Sequence, residues 1–252
     1  LWLAGTSGAA ASAPFWPFKG GNGNHSGLSP HTAPFDLSRP AWTWTVPEAV
    51  RWTGPFHTSP ILDDELNVYY TRTDSSVWSL DRAGKVRWMN QLSGAHVGCP
   101  ALVDGVLYTG TDDGVAWALK AANGRVIWQA KVGMSSSADS WSATVAHGTM
   151  LMPVTPLDWR PDLHRADAQW PNSGSEEMVA LRTSDGKELW RYSVAKRSGT
   201  IMYNVLPAVV DNSVVFDDFS GGVYRLSLAD GSEQWHTPAP KPGVWSTGAC
   251  AV

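Results

Sequence analysis

Cysteine is scarce in this 252-residue chain, and the two present, Cys99 and Cys250, stand 151 positions apart in apolar surroundings. Neither has a second cysteine or a histidine at ligand spacing, which excludes a disulfide framework and a zinc pattern. Both read as buried thiols that pack as small hydrophobes, pairing only if the fold brings them together. Basic excess is missing as well: 19 Lys and Arg against 23 Asp and Glu leave a net charge of -4. That balance lacks the positive field a phosphate backbone requires, so nucleic acid is not an expected partner. No stretch approaches the roughly 20 apolar residues of a membrane-spanning helix. The seven histidines are dispersed, with no H-x-H or H-E-x-x-H spacing, and neither G-x-S-x-G nor a glycine-rich phosphate loop occurs. Finally, no segment sustains a 3.6-residue apolar period, so helix is expected to be nearly absent.

Tryptophan is present in excess, with 15 residues against 6 Phe and 6 Tyr, and that excess needs a structural cause. The chain opens on LWLAGTSGAAASAPFW, an apolar and small-residue stretch ending near Ala11-Ser12-Ala13, which reads as a signal-like or targeting remnant over residues 1–15. Asn24-His25-Ser26 is a glycosylation sequon, weak evidence by itself.

Internal repetition decides the fold class. Four segments share one ending: Gly84 to Trp88, Gly124 to Trp128, Gly186 to Trp190 and Gly231 to Trp235, their tryptophans 40, 62 and 45 residues apart. Each follows a short apolar run (VWSL, VAWAL, MVAL, VYRL) and a turn rich in Gly, Asp or Asn, the residues that accept the backbone of a tight hairpin. A third feature recurs ahead of these as SPILDD, CPALVDG and LPAVVDN, with SATVAHG a looser copy. Each unit therefore reads as four short strands. In the second unit they are expected near 99–103, 106–110, 115–120 and 125–132, the first three almost continuously apolar and so buried on both faces. A four-stranded sheet of about 40 residues repeated in tandem describes a β-propeller blade in an all-β fold.

Ala118 to Trp128 (ALKAANGRVIW) resembles the tryptophan-docking pattern A-x-D-x-x-T-G-x-x-x-W of quinoprotein, or PQQ-like, β-propellers. Ala180 to Trp190 matches equally well, and Arg225 to Trp235 matches from the Gly onward. The unit ending at Trp88 keeps Asp81 but is one residue short. Trp16 to Pro30 resembles the opening of the non-enzymatic BamB-like members. The physical expectation is that each Gly makes the turn before the outermost strand and each Trp lies flat over the neighbouring blade's copy of that turn. Burying an indole in this way removes roughly 150–250 Å² from water, worth several kcal/mol. Gly84, Gly124, Gly186 and Gly231 with Trp88, Trp128, Trp190 and Trp235 are thus expected to be structural docking residues.

The propeller is assigned to residues 16–252, with complete blades near 57–91, 97–132, 140–195 and 203–238. An orphan outermost strand is expected near 40–47 and the start of a further blade at 244–252. Members commonly close eight blades, so at about 40 residues per blade some 130 to 150 residues are expected beyond Val252. The third unit is 22 residues longer than the second, and the excess falls at Leu157 to Glu176, between its second and third strands. That insertion holds Trp159, Arg160, His164, Arg165 and Trp170, types enriched at interface hot spots. It is either a solvated loop over its own blade or a docking element for a protein partner. The pairs Asp63-Asp64, Asp112-Asp113 and Asp217-Asp218 fall at strand ends, where Asp serves turn geometry.

The resemblance carries one enzymatic implication. The alcohol-oxidising members hold PQQ on the propeller axis beside a disulfide of adjacent cysteines, with calcium and a catalytic Asp. This chain has no adjacent cysteines and no Asp or Glu that can be matched to those motifs, so no catalytic, cofactor-binding or metal residue is assigned. The expected function is a protein-binding scaffold, a subunit of a larger assembly. The alternative is a PQQ- and calcium-dependent dehydrogenase whose site lies partly in a further C-terminal half. An exported location is expected: periplasm, secretory pathway or an organelle lumen such as the thylakoid's.

Overall fold

The computed structural model describes residues 15–22, 25–29, 38–45, 58–95, 98–136, 143–158, 175–197, 202 and 205–240. Ala11-Ser12-Ala13, the 244–252 strand, Cys250 and the insertion residues Trp159, Arg160, His164, Arg165 and Trp170 lie outside the described residues.

Among the described residues, sixteen strands form four sheets of four. The first blade comprises β1 (Ile61–Leu62), β2 (Val68–Thr71), β3 (Ser76–Leu80) and β4 (Val86–Gln91), the second β5 (Ala101–Val103), β6 (Val106–Gly110), β7 (Val115–Lys120) and β8 (Val126–Lys131). The third holds β9 (Thr144–Ala146), β10 (Thr149–Val154), β11 (Glu177–Arg182) and β12 (Glu188–Ser193), the fourth β13 (Ala208–Val210), β14 (Ser213–Asp217), β15 (Val223–Ser227) and β16 (Glu233–Thr237). Each sheet is an antiparallel meander in chain order, and no named strand pairs across two sheets. Helix is confined, among the described residues, to a 3-10 turn at Val194–Arg197.

The local chemistry explains the meander. Val103 pairs with Val106 and Ala146 with Thr149, leaving Asp104-Gly105 and His147-Gly148 as two-residue turns whose residues all have positive φ, from 48 to 74°. That is the hairpin type whose twist matches the flanking strands. His147 is therefore a turn residue. The middle strands are buried on both faces: β3 throughout, β7 and β11 along their central four residues, and β10 along all six. Outermost strands such as β4 and β8 instead alternate between exposed and half-buried positions. The core consequently lies between sheets. One cluster joins blades one and two around Tyr69, Leu107 and Trp117, a second joins two and three around Ala116, Met150 and Val179, and a third joins three and four around Tyr192, Phe216 and Tyr224. Cys99 sits in the first of these, its thiol donating to the Ser59 carbonyl at 3.1 Å.

Candidate functional site

Since, among the described residues, no ladder ties one sheet to the next, the seams are made by side chains, and one arrangement repeats. The indole N–H of Trp88 donates to the Ala121 carbonyl at 2.9 Å, that of Trp128 to Thr183 at 2.7 Å, and that of Trp190 to Leu228 at 2.8 Å. Beneath each ring lies a glycine of the next blade's turn. A Cβ at Gly124, Gly186 or Gly231 would lie 2.5, 2.6 or 2.7 Å from the Trp88, Trp128 or Trp190 ring. All three glycines have a φ of 71°. Only a residue without a side chain satisfies both the left-handed backbone and the ring's approach.

Two features of the seams are absent from the sequence reading. Trp42, ahead of the first blade, makes the same contact: its N–H donates to the Arg82 carbonyl at 3.0 Å, and a Cβ at Gly84 would lie 2.7 Å from its ring. The signal was the alternation Trp42-Thr43-Trp44, with Trp44 packing at 5.3 Å on Trp78 and at 5.4 Å on Tyr70. Residues 38–45 nonetheless form no strand. Second, every outermost strand carries a β-bulge one residue before its tryptophan. Leu80 pairs with Val86 but Ser79 with Trp88, and the same step separates Val126 from Trp128, Glu188 from Trp190 and Glu233 from Trp235. A bulge adds local twist and re-aims the side chain that follows it. The one-residue deficit of the first unit falls in the turn, where Asp81 accepts from the Ala83 and Lys85 amides.

A second candidate region is the N-terminal segment. Trp16 and Leu62 exchange two backbone hydrogen bonds, the Leu102 amide donates to the Pro17 carbonyl, and Phe18 is buried in the cluster of blades two and three. Further on, His25 Nε2 lies 3.1 Å from the Pro207 carbonyl, just ahead of β13, and 3.4 Å from the Thr144 hydroxyl at the start of β9. Residues 15–22 and 25–29 thus touch the first strand of three blades and the entry to the fourth.

The insertion between β10 and β11 is pinned at both roots. Ser135, in the linker entering blade three, bridges Thr155, and Ser175 bridges Met202 in the linker leaving it. Met134 and Leu157, both exposed, flank the first root. Arg191 of β12 braces the same side, pairing with Glu177 and Glu188 while donating to the Val132 carbonyl at 2.9 Å. Those carboxylates hold its guanidinium pKa above the usual arginine value.

Two of the strand-end aspartates are used internally. Asp63 accepts from the Glu65 and Asn67 amides and the Tyr69 hydroxyl, and Asp218 from the Ser220 and Gly222 amides and the Tyr224 hydroxyl. Burial pushes the Tyr69 hydroxyl up to about 12 and raises those of Tyr192 and Tyr224, so all three remain donors. Among the described residues this donor set does not fit PQQ with calcium. The residue after Cys99 is Pro100, Asp63 and Asp218 are spent on turns and tyrosines, and among the described residues no three His, Cys, Asp or Glu side chains converge.

The fold and sequence have known counterparts. The quinohemoprotein alcohol dehydrogenase of Comamonas testosteroni superposes with a TM-score of 0.71 at 17% identity, covering 96% of this chain and 44% of that one. BamB of Moraxella catarrhalis gives a TM-score of 0.55 at 17% identity, covering 73% and 49%. Such identities speak to the fold alone. The tetrathionate hydrolase of Acidithiobacillus ferrooxidans is 26% identical over 219 residues, which is 82% of this chain and 40% of the relative. The chain spans less than half the length of each of these proteins. Residues 38–200 and 141–249 match the family model described as outer membrane protein assembly factor BamB, two overlapping stretches that take in every blade, and the chain therefore belongs to this PQQ-like β-propeller family.

Proposed function

We propose that this chain is a non-enzymatic protein-binding scaffold, an accessory subunit of a larger assembly in the periplasm or another exported compartment. Its four blades belong to an eight-bladed ring held by Trp42, Trp88, Trp128 and Trp190, with Trp235 as the seat for a further blade. The observation that carries this reading is where the polar and aromatic side chains go. In the described seams they are consumed by packing between blades, whereas the third blade carries an insertion whose two roots are fixed to the linkers on either side. Trp159, Arg160, His164, Arg165 and Trp170 supply the types that dominate interface energies. A standard interface needs about 800 Å² per partner, which a loop of this length with its flanking surface can supply.

Replacing residues 157–176 with a short Gly-Ser turn tests the reading. Folding is expected to persist and co-purification with the partner to be lost. Unchanged complex formation would move the docking surface to the blade edges. Adding PQQ and calcium and recording dye-linked dehydrogenase activity separates the enzymatic class, with saturable turnover overturning the scaffold. A second reading, hydrolysis of tetrathionate or a related sulfur compound, is favoured by the 26% identity over most of this chain to a tetrathionate hydrolase. Tetrathionate turnover by the purified protein would replace the scaffold reading.

A further inference from the structure

Each docking turn joins the third strand of its blade to the outermost one, and the stacked indoles set the turns of successive blades side by side along one rim. The Trp88 ring lies on Gly124 and the Asn90 amide donates to the Gly124 carbonyl at 2.8 Å, so β4 of blade one borders the turn of blade two. Charge is spread unevenly along this rim. From Asp81 to Trp88, blade one carries Arg82, Lys85 and Arg87 against Asp81 alone, and from Lys120 to Trp128, blade two carries Lys120 and Arg125 with no acid. Blade three balances Arg182 and Lys187 against Asp185 and Glu188, whereas blade four, from Ser227 to Trp235, has Asp230 and Glu233 with no base. The cations also differ in what holds them. Asp185 pairs with both Arg182 and Lys187, and Arg87 turns inward to the hydroxyls of Tyr69 and Ser79. Arg82, Lys85, Lys120 and Arg125 are exposed, and among the described residues their side chains form no hydrogen bond or ion pair.

Aliphatic side chains accompany these cations. Val86 follows Lys85, and Val126 and Ile127 follow Arg125, the latter two 37% and 42% exposed. Blade two has a neighbour on both sides, so their exposure belongs to the rim and not to an unfilled seam. Blade four has Glu233 and Gln234 at the corresponding places. Trp42 lies half-buried on the first turn, at the end of the same rim. Unpaired cations interleaved with aliphatic groups match a surface whose negative charges overlie hydrocarbon. An acidic protein would engage the cations and leave the aliphatic groups unused. We propose that the turn rim of blades one and two docks on an anionic phospholipid surface, with Arg82, Lys85, Lys120 and Arg125 meeting lipid phosphates and Val86, Val126 and Ile127 entering the acyl boundary. The net charge of -4 sets the rest of the chain against such a surface, which confines docking to this rim. The roots of the insertion between β10 and β11 lie at the opposite end of the sheet from these turns, so lipid and a protein partner are met at different ends.

Co-sedimentation with vesicles of equal parts phosphatidylglycerol and phosphatidylcholine, against vesicles of phosphatidylcholine alone, tests the docking. The protein should pellet with the anionic vesicles only, and raising the salt from about 0.1 M to about 1 M should weaken binding, because the Debye length shrinks about threefold. Each rim charge removed should cost about fivefold in affinity, so Lys120→Gln combined with Arg125→Gln should cost more than about tenfold. Lys196→Gln makes the same change of charge in the 3-10 turn at the other end of the sheet and should match the wild type. If the double variant fails to fold, Arg82→Gln combined with Lys85→Gln at the neighbouring turn takes its place. No pelleting with anionic vesicles, equal pelleting with neutral ones, or an equal loss in Lys196→Gln would each overturn the docking. Retention on immobilised polyglutamate without vesicle binding would overturn it as well and assign the rim to an acidic protein.

Discussion

The forward faces of blades one to three and that of blade four carry the same motif in different surroundings. In the first three, the tryptophan pairs across the ladder with a small, fully buried residue: Ser79 with Trp88, Ala118 with Trp128 and Ala180 with Trp190. The small partner leaves room for the next blade to close in. In blade four the bulge and the tryptophan are retained, but Arg225 stands opposite Trp235, which remains 41% exposed against 7% for Trp190. Among the described residues nothing takes the place of the glycine turn beneath its ring. The comparison teaches that aiming an indole and burying it are separate achievements. The bulge within a strand does the first, and only a neighbouring blade with a small residue and a glycine in register does the second.

The largest test compares the two ends of this series directly. Trp190→Ala should lower the unfolding free energy by about 3–5 kcal/mol, the cost of emptying a packed aromatic site. Trp235→Ala, measured in this 252-residue chain, should change it by less than about 1 kcal/mol, since the ring is 41% exposed there. Chemical denaturation of both variants checks the pair, and equal losses would abolish the distinction between seam and open face. A smaller effect is expected at the receiving turn. Gly124→Ala drives a methyl into the Trp88 ring and should cost about 1–3 kcal/mol of overpacking beyond the backbone strain. Gly105→Ala, at a similar φ of 73° with nothing within 4 Å, should show the strain alone, about 1–2 kcal/mol. If the two variants melt together, ring contact is not what requires glycine in the seam.

The smallest effect concerns the seam between blades three and four, where Arg197 and Tyr192 both donate to Glu233 and hold its carboxyl below the ordinary value of 4.5. A carboxylate whose pKa is depressed by folding contributes stability above its ordinary value and loses it as pH falls through the lowered one. Glu233→Gln should therefore cost about 0.2–1 kcal/mol at neutral pH, since Arg197 is largely exposed, and should flatten the acid limb of the stability profile. An acid limb of unchanged slope would place the titrating groups elsewhere.

How much of this was legible in the sequence follows from the range of the interactions. The strands of the second blade lie at 101–103, 106–110, 115–120 and 126–131, within two residues of the ranges read from the apolar runs and turn glycines. A strand and its hairpin are local objects, set by side-chain alternation and by turn residues a few positions apart. The lengthened loop was equally visible, since it interrupts a period, and its roots fall where the third unit was expected to part. Trp42 was harder to place because its receiving turn at Gly84 lies 42 residues away and its own segment forms no strand. The bulge left only a faint trace: a skipped pairing shows in the register, not in the residue type, and Arg87, Ile127, Leu189 and Gln234 have nothing in common chemically.

The sequence by itself determined that this is a tandem of four-stranded antiparallel units with glycine turns and tryptophans at one repeated position, because repetition and hairpin chemistry are written within 40-residue windows. It did not determine what those tryptophans touch, nor that one histidine in a weak glycosylation sequon is buried beside Pro207, 182 positions along the chain. Those outcomes belong to the tertiary structure for one physical reason. They depend on which surfaces the packing of separate sheets excludes from water, and desolvation is a property of the assembled neighbours, not of the residue that loses its water.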